Sequence, residues 1–203
     1  MRAVILPATP LLVPGVTPGL RADPLAPVRA AVRAALAELT TGDRLPLVVA
    51  HGPALRWGRM RPSLLGSGIG GRWVPHLAAE QCASSGSPGA DDDLRPAGTG
   101  ASVALFVLAE VLGARVADVD TLEVPPDGAA LDDGATDLLR GADVLVVAGG
   151  GAPGGLDSSP GALTDGLRAA LHAAGADGWA TEVQVFELSH QHLPPEYRVT
   201  TLS

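Results

Sequence analysis

Short apolar runs alternate with segments of helical periodicity along most of the chain. The apolar runs predict strands at 3–6, 44–52, 115–124, 142–149, 181–190 and 196–202. Apolar residues spaced three and four apart predict helices at 24–39, 101–112, 131–140 and 160–174. Because strands alternate with helices, we expect an α/β fold with a largely parallel central sheet and helices on both faces.

A polar segment at 83–100 interrupts this alternation. It is rich in Gly, Pro and Ser and carries three adjacent aspartates at 91–93, which is typical of a mobile, solvated loop. The whole chain has 203 residues, enough to bury a sizeable core within one domain. We therefore predict a single domain over 1–203 with a mobile loop at about 83–100.

Charge and cysteine content exclude several classes of protein. The net charge of −8 argues against nucleic-acid binding, which requires a basic surface. Cys82 is the only cysteine, so neither an internal disulfide nor a cysteine-rich zinc site is expected. The apolar run at the N-terminus is broken by Pro7, Pro10 and Pro14, a pattern that suits neither a signal peptide nor a membrane span. These features predict a soluble, cytoplasmic protein.

A glycine-rich loop follows the apolar run that ends at 149. Gly149, Gly151 and Gly154 match G-x-G-x-x-G, so the 149–155 loop is a candidate nucleotide or phosphate site. Pro153 interrupts the motif, and the predicted helix begins several residues later than in dinucleotide sites. The alternative is a loop whose glycines allow a sharp turn of the backbone.

Three stretches carry a resemblance to a known family. "VILPATPLLVPG" (4–15), "LPLVVAHGP" (46–53) and "VLVVAGGGAPGGLDSSPGALTDGLRAAL" (144–171) resemble segments of the class III extradiol ring-cleavage dioxygenase superfamily. The resemblance implies an α/β fold, chains that pair into dimers, and cleavage of catechol rings by Fe(II) held by two histidines and one glutamate. Such a ligand set leaves open positions for both catechol and O₂.

The ligand set that the resemblance implies is incomplete in this sequence. Ala8 stands at the position of the first histidine, and His51 stands at the position of the second. The glutamate is expected in the C-terminal part, where the candidates are Glu182, Glu187 and Glu196. The chain thus resembles a divergent member whose site, if active, holds Fe(II) or another divalent metal, and which otherwise has no cofactor.

Other histidines and one arginine-rich segment are further candidates. His190 and His192 lie two apart, so on a strand both side chains would project from one face and could hold a metal. For these two the alternative is a pair of surface residues, and for His51 it is a hydrogen-bonded histidine at a strand end.

Between 44 and 79 the chain has five arginines and no acidic residue. Arg56, Trp57 and Arg59, together with Gly150 and Gly151 of the glycine loop, are candidates for binding a planar, acidic or aromatic small molecule. The alternative is a set of surface arginines that pair with acidic residues elsewhere, such as those at 91–93.

Three hypotheses of function follow. The first is a divergent extradiol dioxygenase-like protein with a degraded or rebuilt metal site. The second is a non-catalytic protein that binds a small molecule, or another protein, on the same fold. The third is a nucleotide- or phosphate-binding enzyme that uses the 149–155 loop.

Overall fold

The computed structural model describes residues 2–16, 23–71, 74, 94–128, 130–149, 162–189 and 192–203, which contain seven strands and four α-helices. The strands are β1 (Ala3–Pro7), β2 (Leu47–His51), β3 (Arg56–Arg59), β4 (Asp120–Val124), β5 (Leu145–Gly149), β6 (Thr181–Glu187) and β7 (Glu196–Leu202). The helices are α1 (Ala26–Leu39), α2 (Thr99–Leu112), α3 (Asp133–Gly141) and α4 (Asp165–Ala173).

All seven strands belong to one mixed sheet, in the order β3-β4-β2-β5-β1-β7-β6. The four central strands β4, β2, β5 and β1 are parallel to one another. The flanking strands β3 and β7 are antiparallel to β4 and β1, and β6 is antiparallel to β7. The predicted α/β class with a largely parallel centre is therefore confirmed, and antiparallel strands form both margins.

The buried side chains divide into two hydrophobic clusters, each of which takes alternate residues of the central strands. The first cluster includes Val4, Leu6, Val48, Ala50, Val146 and Ala148 together with residues of α1 and α2. The second cluster includes Ala3, Ile5, Leu47, Val49, Leu145 and Val147 together with residues of α3 and α4. Successive residues of a strand point to opposite faces of a sheet, so the two clusters pack against opposite sides of these strands.

Local chemistry fixes where the helices begin and end. Asp132 caps α3 by accepting a hydrogen bond of 2.7 Å from the Ala135 N–H, and Thr164 caps α4 by accepting one of 3.3 Å from the Leu167 N–H. Gly113 follows α2 with a φ of +58°, a conformation that favours glycine at the end of a helix. The helix expected over 160–174 is observed from 165 onward, and residues 150–161 lie outside the described residues.

Some local expectations differ from the structure. The last residues of the expected 83–100 loop form regular structure, since Thr99 and Gly100 begin α2 and Pro96 forms an isolated bridge with Arg61. Residues 83–93 of that segment lie outside the described residues. The strand expected over 115–124 begins only at Asp120, because a 3-10 helix occupies Gly113–Asp118. Strand β3 lacks an apolar run and was not predicted.

The helical stretch Thr99–Asp118 is long and apolar enough, by length and composition alone, to cross a membrane. In the fold, however, 61% of its most apolar window is buried, and α2 contributes residues from Ala101 to Leu112 to the first cluster. Its hydrophobicity is thus consistent with the core helix of a soluble protein.

Candidate functional site

The carboxyl ends of the four parallel strands meet at one edge of the sheet, where sites of α/β proteins commonly lie. Pro7 is opposite Gly149, and His51 is opposite Val124. Ala8 continues β1 and donates a hydrogen bond of 2.9 Å from its N–H to the Gly149 carbonyl. The positions predicted from the family resemblance, Ala8 and His51, therefore both reach this edge.

Small residues close the sheet edge beneath the first turn of α2. A Cβ atom at Gly100 would lie 3.5 Å from the Cβ of Ala8 and 3.6 Å from those of Ala50 and Ala148. These distances are ordinary van der Waals contact, so a methyl group added at position 100 would just fit between the helix and the three alanine side chains. The first turn of α2 therefore lies over the side chain of residue 8, with room for about one methyl group between them.

His51 is directed away from Ala8. The side chain of Ala50 belongs to the first cluster and lies on the side of Gly100, so the next residue, His51, points to the opposite side, which it shares with Leu47 and Val49. His51 is the last residue of β2 and is 8% exposed. Its position at a buried strand end matches the sequence prediction, but residue 8 is not placed beside it.

The glutamates proposed from the resemblance lie at the far margin of the sheet. Glu182 and Glu187 are exposed on β6, which is four strands away from β2, or about 19 Å at about 4.8 Å per strand. Glu196 on β7 accepts a hydrogen bond of 2.7 Å from Arg198. His192 is exposed in the turn between these two strands, and His190 lies outside the described residues.

The described residues do not fit the Fe(II) centre that the resemblance implies. Among them, no group of three or more His, Cys, Asp or Glu side chains is placed to hold a metal ion. Ala8 faces α2, His51 faces the other side, and the glutamates are several strands distant. We therefore derive no chemical step through iron.

The predicted arginine and tryptophan pocket is not assembled on β3. Arg56 is opposite Glu123 and Trp57 is opposite Leu122, so their side chains leave the strand on opposite faces. Trp57 is 54% exposed and lies close to Gly134 at the start of α3. Arg59 reaches Asp118 at 3.5 Å on the surface. Gly150 and Gly151, with most of the 149–155 loop, lie outside the described residues.

A buried carboxylate on β4 was not predicted from the sequence. The side chain of Glu123 is fully buried, and its Oε2 accepts a hydrogen bond of 2.6 Å from Arg56 Nε. Its Oε1 accepts one of 2.6 Å from the Gly98 N–H, directly before α2. A Cβ atom at Gly52 would lie 2.5 Å from Oε2, so only glycine fits there.

The Glu123 carboxylate joins β3 and the start of α2 to the sheet. Arg56 also donates a hydrogen bond of 3.1 Å to the Pro96 carbonyl, which extends the network along the chain that leads into α2. Both carboxylate oxygens accept hydrogen bonds from groups of the protein, so this carboxylate stabilises the fold. The signal in the sequence was an acidic residue within an apolar strand, since a buried charge requires a partner.

A cavity of about 330 Å³ lies between the 60–71 segment and α2. Its walls include Met60, Leu64, Leu105, Phe106, Val116 and Ala117, and Arg61 and Ser63 supply polar groups. The segment is fixed in place by hydrogen bonds from the Ser63 N–H to Ser102 Oγ, 2.8 Å, and from the Ala97 N–H to the Arg61 carbonyl, 2.8 Å. Neither the cavity nor its position could be predicted from sequence periodicity.

Comparison of the chain with protein-family models, with curated proteins and with solved structures finds no match.

Proposed function

We propose that this protein binds a small, largely apolar molecule in the cavity between the 60–71 segment and α2, and that it does so without catalysing ring cleavage. The observation that carries this proposal is the cavity itself. Its volume of about 330 Å³ is at the lower end of the range for small-molecule sites, roughly 300–1,000 Å³. Its walls are mainly aliphatic and aromatic, with few polar groups, which is the usual composition of such sites.

The wall chemistry favours a planar molecule that carries one acidic group. Phe106 offers an aromatic surface, and Arg61 offers a guanidinium that can bind a carboxylate or sulfonate in two-point geometry. Within the described part of the chain, Arg61 forms no ion pair with an acidic side chain. The partner that we propose is therefore a planar, aromatic or acidic small molecule.

We further infer that the scaffold is related to the extradiol dioxygenase superfamily, with helices covering both faces of the sheet, and that the protein is cytoplasmic. The two hydrophobic clusters support the layered arrangement, because α1 and α2 contribute to one and α3 and α4 to the other. The buried α2 and the net charge of −8 support a soluble protein. The family relation rests on the three sequence stretches, and the cavity differs from the iron site that they imply.

The test uses two fluorescent probes with nearly the same ring system. One is 1-anilinonaphthalene-8-sulfonate, which is anionic, and the other is N-phenyl-1-naphthylamine, which is neutral. We expect saturable binding of both, and Arg61→Gln should weaken only the anionic probe because it removes the guanidinium. Absence of saturable binding of either probe to the folded protein would refute the proposal.

A matched pair of variants locates the binding site. Ala117 lines the cavity and Ala114 does not, although both belong to the same 3-10 helix. Ala117→Phe should raise the dissociation constant of the neutral probe at least about tenfold, equal to about 1.4 kcal/mol, because the new ring occupies the cavity. Ala114 is exposed, so Ala114→Phe should leave the constant within about twofold. Equal effects of both variants would place the probe elsewhere and contradict the assignment.

A further inference from the structure

Strand β6 forms one margin of the sheet and is unusually open for an edge strand. In the described residues, no strand lies on its outer side, and every residue of Thr181–Glu187 except Phe186 is exposed. Val183 and Val185 are 46% and 50% exposed and share one face. Natural proteins usually protect such an edge with charged side chains, lysine above all, or with proline or a bulge; the sequence of β6, TEVQVFE, has two glutamates near its ends but neither lysine nor proline.

The backbone groups on the open side of β6 belong to its odd-numbered residues. Ala180 and Ser203 exchange hydrogen bonds of 2.9 and 3.0 Å, and the Leu188 N–H donates one of 2.7 Å to the Pro195 carbonyl. Ala180 and Leu188, which flank β6, are both even-numbered, and hydrogen-bonding direction alternates along a strand, so the even-numbered residues face β7. The N–H and C=O groups of Thr181, Val183, Val185 and Glu187 therefore face outward, ready to pair with another strand.

We propose that a second copy of this chain pairs with β6 through its own β6, in antiparallel register, to form a two-fold symmetric dimer. An antiparallel two-fold contact of this kind places its axis perpendicular to the sheet, so each residue meets one on the same face. Full overlap of Thr181–Glu187 puts the axis at the middle residue, Gln184. Val183 then exchanges backbone hydrogen bonds with Val185 of the second copy, and Thr181 does so with Glu187.

Charge and shape support this self-pairing. In the register centred on Gln184, Glu182 meets Phe186 and Glu187 meets Thr181, so no two glutamates are opposed. The exposed valines meet each other on one face, which removes apolar surface from water. The contact uses the same edge of both copies and so closes at the dimer instead of extending into a fibre. The opposite margin, β3, has four residues against seven in β6 and so offers a shorter edge for pairing.

Disulfide trapping tests the register directly. In a Cys82→Ser background, Gln184→Cys places two cysteines opposite each other at the axis, with Cβ atoms about 4.5–5.5 Å apart and close to disulfide geometry. The control is Glu182→Cys, which is on the same face and is also exposed, but whose two copies are offset by about 13 Å along the strand. We expect oxidation to link the 184 variant into a dimer and to leave the 182 variant monomeric under denaturing electrophoresis.

Sedimentation equilibrium tests the dimer without introduced cysteines. A contact of one strand pair is small, so we expect a dissociation constant on the order of micromolar for the native sequence. The double variant Val183→Lys/Val185→Lys should raise that constant at least about tenfold, while far-UV circular dichroism shows an unchanged fold. A native chain that stays monomeric at about 200 µM, or equal cross-linking at 182 and 184, would overturn the proposal.

Discussion

The buried pair of Glu123 and Arg56 gives the sharpest test of how this fold is held together. The Glu123 side chain is fully buried, whereas the Arg56 side chain is 25% exposed. Arg56→Met removes the guanidinium but keeps most of the alkyl stem. The carboxylate would then remain in the interior with the Gly98 N–H as its remaining hydrogen-bond donor.

The expected loss of stability follows from burial of this unpaired charge. Removing one partner of a buried ion pair costs about 3–5 kcal/mol, and the partial exposure of Arg56 places this case near the lower limit. The hydrogen bond to the Pro96 carbonyl is also lost, at about 1 kcal/mol. We expect Arg56→Met to lower the free energy of unfolding by about 3–4 kcal/mol, measured by urea denaturation at neutral pH.

A second substitution should restore part of this loss. Glu123→Gln in the Arg56→Met background removes the buried charge and keeps an oxygen that accepts from the Gly98 N–H. The double variant should therefore be about 1–2 kcal/mol more stable than Arg56→Met alone. The control is Arg59→Met on the same strand, whose exposed pair with Asp118 should contribute less than about 0.5 kcal/mol. A cost below about 1 kcal/mol for Arg56→Met, or a double variant less stable than the single one, would refute this reasoning.

Two further predictions concern packing and pH. A Cβ atom at Gly166 would overlap the Pro125 carbonyl, so Gly166→Ala should lower the unfolding free energy by at least about 2 kcal/mol. A Cβ atom at Gly141 would have nothing within 4 Å, so Gly141→Ala should change the unfolding free energy by less than about 1 kcal/mol. Equal effects of the two variants in urea denaturation would contradict this. Burial raises the pKa of the Tyr197 phenol above its ordinary value of 10.0, so the unfolded chain releases this proton first. The contribution of the Tyr197 phenol to the free energy of unfolding is present below pH 10 and is lost as the pH rises through the folded-state pKa. Tyr197→Phe should abolish this pH-dependent loss. Tyr197 is the only tyrosine, so ultraviolet absorbance of the phenolate reports this titration, and ionisation near pH 10 in the folded protein would contradict it.

The central sheet was predictable because its strands are continuous apolar runs. "LVVAH" and "LVVAG" are buried on both faces, as strands in the middle of a parallel sheet must be. Strand β3 could not be predicted because its sequence, "RWGR", has no such run. It forms by antiparallel pairing with β4 and by the ion pair of Arg56 with Glu123, two contacts between residues far apart in sequence.

The continuous apolar runs that made the strands predictable also hid the face to which His51 points. Alternation of apolar and polar residues tells the two faces of a strand apart, and a run that is apolar throughout contains no alternation. The packing of Ala50 in the first cluster, on the side of Gly100, shows that His51 points the other way. The strand end of the histidine was predictable from sequence, whereas its direction depends on which face of the sheet α2 covers.

The site at the strand ends and the cavity beside α2 are linked by the same packing. Gly100 lies over Ala8, Ala50 and Ala148 with room for about one methyl group between them, so α2 leaves little space on this side of the sheet edge. Elsewhere α2 faces the 60–71 segment, and there Leu105 and Phe106 line the cavity. An imidazole is larger than the methyl-sized space beneath Gly100, so we expect Ala8→His to disturb the packing of α2 on the sheet. The cavity of this chain lies beside α2. Its position, together with Ala8 in place of a histidine, supports the proposed binding of a small molecule.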